Sequence, residues 1–374
     1  MRVAIIAESF LPNFNGVTNS VVQVIPFLRA AGHEVIVIAP AARDHHEEVS
    51  RIHGASVLRV PTIMMPRINS LPLGLPLPTL REHLAEFAPD VIHLASPFFL
   101  GGFAAFVASQ MGVPTVAVFQ TDIAGYTGRY HLAPLERATW AWTRAFHNRC
   151  ALTLAPSTAT IEVLERHGIE RVHRWARGVD TELFQPKQAC RRSTRITVGY
   201  VGRLAAEKGV HRLGVLAADP RFRVVIVGDG PEREALQRHM PNATFRGALF
   251  GEQLAQAYRD FDVFVHPGEF ETFCQTIQEA HASGVPTIAP NQGGPRDLVV
   301  PDLSGELLPV DSFTQELPDA VVRAFEYANP QRIAASVANR RWEDKAHELL
   351  GFYELATGGA AHEQRWFDRL LHRG

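Results

Sequence analysis

Apolar positions fall into short β-branched runs separated by stretches in which they recur every three to four residues, the alternation expected of strands and amphipathic helices around parallel sheets. In the first half this predicts strands near 2–7, 34–39, 56–60, 90–95, 114–119, 151–155 and 172–176, with helices over 17–31, 100–111, 134–149 and 157–167. A polar, Pro-containing stretch from Gln185 to Thr194 interrupts the pattern. Strands then return near 195–201, 223–227, 243–246, 262–266, 286–289 and 305–308. The expected architecture is therefore two doubly wound, Rossmann-like α/β domains, 1–182 and 183–340, joined by a linker. Past residue 340, Trp342, Phe352, Tyr353, Trp366 and Phe367 need a surface to pack on, so 341–374 is expected as helices crossing back to the N-terminal domain.

Length agrees, since 374 residues exceed what one hydrophobic core usually supports. The chain is 46% hydrophobic and 20% charged with a formal charge of −2, an ordinary soluble composition with no global pull toward nucleic acid. Met1 to Ala7 reads as a first strand too short for a signal peptide, and no apolar run reaches the roughly 18 residues of a membrane span. A cytoplasmic monomer is expected. Cys150, Cys190 and Cys274 are widely spaced without a C-x-x-C pair, so neither a disulfide framework nor a zinc site is indicated.

Open α/β sheets bind ligands outside the carboxyl ends of their strands, so chemistry is sought there. After the strand Asp262 to His266 comes Gly268-Glu269-Phe270-Glu271-Thr272-Phe273-Cys274-Gln275-Thr276-Ile277-Gln278-Glu279. A helix beginning near Thr272 would place Glu271 just before it and Glu279 about two turns inside. The amides of Thr272, Phe273, Cys274, Gln275 and Thr276 would be helix-start donors suited to phosphate or sugar hydroxyls. A capping Glu and a second on a solvated face account for the spacing alone equally well. Val201 to Gly209, again at a strand end, adds Arg203 and Lys208, the positive charge that a departing diphosphate needs. Near the N-terminus, Gly16 sits between the first strand and a helix, where a glycine lets backbone approach a phosphate, although a plain strand-to-helix turn also fits. Asp122, in Phe119-Gln120-Thr121-Asp122, is either a cap or a contact to sugar or acceptor hydroxyl. Neither Gly loop matches G-x-G-x-x-G, which argues against a dinucleotide dehydrogenase. Asp260-Phe261-Asp262 leads into a strand and is read as structural, so no metal is expected.

At Glu271 and Glu279 the sequence resembles the retaining GT-B glycosyltransferases, family 4-like, and the resemblance extends over essentially the whole chain. It is closest to actinobacterial GDP-mannose-dependent α-mannosyltransferases that act on glycolipids, through Ala7 to Pro12, Asn19 to Val22, His93 to Pro97, Ala155 to Thr160, His173 to Asp180 and Gly293 to Leu298. The resemblance implies two facing Rossmann-like domains with an interdomain cleft. Glu271 would contact the transferred sugar and Glu279 the ribose. Arg203 and Lys208 would bind the diphosphate, Gly16 would belong to the glycine loop, and the base would lie around Gly247 to Leu249. Here Asn15 stands in place of a second glycine, Gln120 in place of a His, and Arg177 in place of the Asn of a hinge motif.

The resemblance further implies a nucleotide-sugar donor, GDP-mannose, with no cofactor, and a lipid acceptor such as diacylglycerol glucuronate or phosphatidylinositol. Contact with the inner face of the cell membrane would follow. Two stretches could supply it, Ile63 to Leu80 and Tyr126 to Arg149, the second mixing Tyr130, Trp140, Trp142 and Phe146 with Arg129, Arg137, Arg144 and Arg149. Packing of these aromatics into the core is the competing expectation. A UDP-sugar donor, a nucleotide-sugar epimerase and an inactive two-domain binding protein are the functional alternatives.

Overall fold

The computed structural model describes residues 1–13, 15–42, 48–64, 72–74, 78–121, 133–187 and 195–358. The chain divides into two compact units. The first comprises Met1–Ala176 together with the C-terminal helix Trp342–Gly358, and the second is Arg177–Arg341.

In the first unit, β1 (Arg2–Ala7), β2 (Glu34–Pro40), β3 (Arg51–Ile52), β4 (Ala55–Val60), β7 (Val91–Ala95), β8 (Thr115–Val118), β9 (Leu152–Ala155) and β10 (Val172–Arg174) form one sheet in the order β10-β9-β8-β7-β1-β2-β4-β3. All its pairs are parallel except β3 with β4. A small antiparallel pair, β5 (Thr62–Met64) and β6 (Pro72–Gly74), stands apart. The central strand shows why these strands read as near-continuous apolar runs, because both of its faces are covered. Val3, Ile5 and Ala7 pack into a cluster with Val21, Ile25 and Leu28 of the helix Gly16–Ala30 and Leu349, Phe352 and Tyr353 of the C-terminal helix. Ala4 and Ile6 pack on the other side with Leu84 and with Leu100 and Ala104 of the helix Leu100–Met111. Full burial of each such Ile is worth roughly 1.5–3 kcal/mol.

Tyr353 carries a polar anchor as well, its hydroxyl 2.7 Å from Nδ1 of the buried His93 on β7. Trp175 Nε1 donates to the Lys345 carbonyl at 2.8 Å, fixing the start of the same helix.

The structure corrects the membrane reading of the aromatic stretch in part. Trp140 is buried between Phe119 and His167, whose ring stacks on it at 3.8 Å, and Phe146 is fully buried in the core. These side chains cannot also reach a bilayer, because the helix Ala133–His147 turns them toward the sheet. Tyr130 and Arg129 lie outside the described residues, as do 65–71 and 75–77 of the other stretch. No described helix is long and apolar enough to cross a membrane.

The second unit holds a wholly parallel sheet of β11 (Ile196–Val201), β12 (Phe222–Val227), β13 (Thr244–Gly247), β14 (Val263–Val265), β15 (Thr287–Pro290) and β16 (Gly305–Leu308), ordered β13-β12-β11-β14-β15-β16. Val198, Tyr200, Ile226, Val263 and Ile288 pack from the sheet against Phe313, Leu317 and Val321 of the helix Phe313–Tyr327. The strand order reverses between β11 and β14. In a doubly wound sheet this switch point opens a crevice outside the carboxyl ends of the two strands. Asp262, from the D-x-D-like triplet, uses its carboxylate to accept the Thr197 amide at 2.8 Å, tying β14 to β11.

Candidate active site

The loops that leave β11 and β14 meet at this switch point. Lys208, from the first, places Nζ 2.5 Å from Oε1 of Glu271 in the second, across 63 residues of sequence. Gly209 makes the approach possible, since it adopts φ +63° and a β-carbon there would lie 2.9 Å from the Pro267 carbonyl oxygen. Arg212 pins the second loop by pairing with Glu269. Arg203 is exposed, and no ion pair holds its guanidinium among the described residues.

Glu271 is surrounded by positive charge. His266, at the end of β14 and buried, brings Nε2 to 3.2 Å from the same Oε1. Arg177 also interacts electrostatically with Glu271 and Cys274. Burial alone would raise the Glu271 pKa, but His266 and Lys208 overcome it and lower it to about 2, so the group is a carboxylate at neutral pH. Burial would lower the His266 pKa, and the neighbouring Cys274 and Glu271 raise it instead.

The helix does not begin where the sequence suggested. It spans Gln275–Ala282, because Cys274 adopts the left-handed conformation with φ 84° and breaks the helical path. Thr272 and Phe273 therefore belong to an irregular loop, with the Phe273 side chain buried beneath it as an anchor. Glu279 lies just over one turn into the helix, nearer its start than expected. Its Oε2 accepts from the Tyr258 hydroxyl at 2.9 Å, and burial, against that bond, raises its pKa to about 7.

The side chain of Gln275 makes a contact of its own. Its side-chain Nε2 donates to the Gly178 carbonyl at 2.9 Å, and Gln278 donates to the Arg177 carbonyl at 3.0 Å. These side chains hold the Arg177-Gly178 segment, and because the helix starts at Gln275, its helix-start donors are the amides of its first turn. Leu249 lies apart from the pair, in a concavity lined also by Arg246, Glu252, Gln253 and Gln256.

Gly16 belongs to the first unit, where Asn15 caps the helix by accepting from the amides of Val17 and Thr18 at 2.9 and 3.0 Å. Two of the amides a phosphate could use there are thus already satisfied. Asp122 lies outside the described residues.

Sequence reading did not select His266 or Tyr258, and it gave Arg177 a structural role only. A His directly after a strand at the switch point was the available signal for His266. Nothing local marks Tyr258 or the approach of the half-buried Arg177 to Glu271.

The resulting site is a carboxylate, Glu271, in a nest of cations, with helix-start amides beside it and a second, partly neutralised carboxyl, Glu279, one turn on. It can hold polyol hydroxyls next to a polyanion.

The profile of Glycosyltransferase Family 4 matches residues 14–183, and that of Glycosyl transferases group 1 matches residues 182–335. The chain is 54% identical over 368 residues to a GDP-mannose-dependent α-mannosyltransferase of Mycolicibacterium smegmatis, covering 96% of this chain and 98% of that protein. It is 26% identical to a GDP-mannose-dependent α-(1-6)-phosphatidylinositol dimannoside mannosyltransferase of Mycobacterium tuberculosis, over 96% of each. Among solved structures, sucrose-phosphate synthase of Thermosynechococcus elongatus shares the fold with a TM-score of 0.77 at 21% identity, over 94% of this chain and 98% of that one.

Proposed function

Because this chain belongs to the family 4 glycosyltransferases of the GT-B fold, and is a hexosyltransferase of the α-mannosyl class, we propose that it moves mannose from GDP-mannose, with retention, onto a lipid-linked acceptor. The observation that carries the site assignment is the pairing of Lys208 with Glu271 at the strand switch point. With donor bound, a phosphate would replace the carboxylate as partner of the ammonium, and a sugar hydroxyl would replace the ammonium as partner of the carboxylate.

In this reading Arg203 and Lys208 take the diphosphate, Glu271 and the amides near Gln275 hold the mannose, and Glu279 takes the ribose hydroxyls. The acceptor hydroxyl attacks the anomeric carbon on the face from which the diphosphate departs. The bond from that carbon to the phosphate oxygen breaks as the new glycosidic bond forms, and the hydroxyl proton passes to the leaving phosphate. Positive charge for the leaving group comes from side chains, so the reaction needs no metal. Diacylglycerol glucuronate and phosphatidylinositol represent the acceptor class, and the enzyme would work as a monomer at the inner face of the cell membrane. Support for a lipid acceptor comes from the phosphatidylinositol dimannoside-modifying relative.

Calorimetry of the protein with GDP and with UDP tests the donor, followed by product analysis with GDP-mannose and each lipid. GDP should bind at least tenfold more tightly than UDP, a difference of about 1.4 kcal/mol. Tighter binding of UDP, or release of free altered sugar without acceptor, would rule the proposal out. Flotation with liposomes that contain or lack anionic lipid tests the membrane contact, and equal recovery from both would count against it.

A further inference from the structure

A lysine ammonium and an imidazole share one oxygen of Glu271, and only the lysine has an arm long enough to leave. Lys208 Nζ lies 2.5 Å from Oε1 and His266 Nε2 lies 3.2 Å from it. If Lys208 binds the donor diphosphate, as proposed above and as this inference requires, its ammonium must turn from the carboxylate to a polyanion of greater charge. Glu271 would then be a largely buried anion without its closest counter-ion, which is strongly unfavourable.

His266 is built to remain. It is the first residue after β14, is 3% exposed, and has no long flexible arm with which to follow a phosphate. Gly268 closes over it, so near that a β-carbon there would lie 3.0 Å from Nε2. Among the described residues neither ring nitrogen makes a hydrogen bond of good geometry, although Glu271 and Cys274 lie beside the ring. The short bond to Oε1 belongs to Lys208, and the imidazole lies off-axis.

We propose that His266 is a positioning residue that takes over the Glu271 carboxylate when Lys208 turns to the donor diphosphate. It thereby fixes the orientation of the glutamate that holds the transferred sugar. The charges around the ring favour this. Glu271 and Cys274 raise its pKa against the effect of burial, while Lys208 and Arg177 are the cations and Tyr200 the phenol that share its neighbourhood.

The test compares GDP with GDP-mannose, because only the second presents a sugar to Glu271. Calorimetry without acceptor is run on the parent, His266→Phe, His266→Gln and Lys208→Ala. His266→Phe should leave the GDP Kd within about threefold of the parent and weaken GDP-mannose about tenfold or more, and His266→Gln, which keeps an N–H, should recover part of that loss. Equal weakening of both ligands by His266→Phe would mark a merely structural histidine and overturn the proposal, as would no change in either. Lys208→Ala should weaken GDP itself by about tenfold or more. If it does not, the donor reading falls and this inference with it, so the two failures are told apart by which variant is silent.

Discussion

Gly294 lies against Phe273 so closely that a β-carbon on it would come within 2.3 Å of the Phe273 carbonyl oxygen. The Gly294 amide also donates to the Glu271 carbonyl at 2.8 Å, so the segment after β15 supports the loop that carries Glu271 from beneath. Gly294→Ala must therefore move that loop. The expected cost is about 2 kcal/mol of stability, with turnover falling at least tenfold as Glu271 shifts. Urea unfolding and steady-state turnover check both, and an alanine variant with parental turnover would show that the loop position does not matter.

Arg203 is exposed on the loop after β11 that also carries Lys208. As a donor-phosphate ligand it should contribute mainly when the leaving group gains charge. Arg203→Ala is expected to lower turnover on the order of 100-fold. If side chains supply the positive charge, as proposed, activity should persist after dialysis against EDTA. Unchanged turnover in the variant, or loss of activity with EDTA that added divalent metal restores, would each contradict the charge assignment.

Glu279 links stability to pH. Its pKa rises from 4.5 to about 7 on folding, so between those values the unfolded chain has released a proton that the folded chain still holds. Stability therefore falls as pH rises through this window and levels off above it. Glu279→Gln keeps an acceptor for the Tyr258 hydroxyl but cannot titrate. Its stability relative to the parent should increase by roughly 2 kcal/mol between pH 5 and pH 8. Denaturation at both pH values measures this, and a difference independent of pH would refute the linkage.

Within its apolar face the C-terminal helix carries a buried polar contact to the first unit's sheet, Tyr353 to His93. Tyr353→Phe leaves the buried His93 Nδ1 without that partner. The expected loss is about 1–3 kcal/mol in chemical denaturation, with GDP affinity unchanged because Arg203, Lys208 and Glu279, the proposed nucleotide contacts, lie in the second unit. A variant as stable as the parent would mean that packing alone secures the helix.

The periodicity of the sequence was enough for the two α/β folds, since strand and helix patterns are local and both faces of each sheet demand apolar residues, as in Val3 to Ala7. It was also enough to pick out Arg203, Lys208, Glu271 and Glu279, because ligand-binding groups in such folds follow strand ends and these do. Only the tertiary structure decided what those groups do to one another. The left-handed turn at Cys274, the commitment of Gln275 to Gly178, and the convergence of His266 and Lys208 on one oxygen arise from burial and through-space charge. Neither quantity is carried by residue type or spacing, so the cationic nest around Glu271 exists only once β11 and β14 lie side by side.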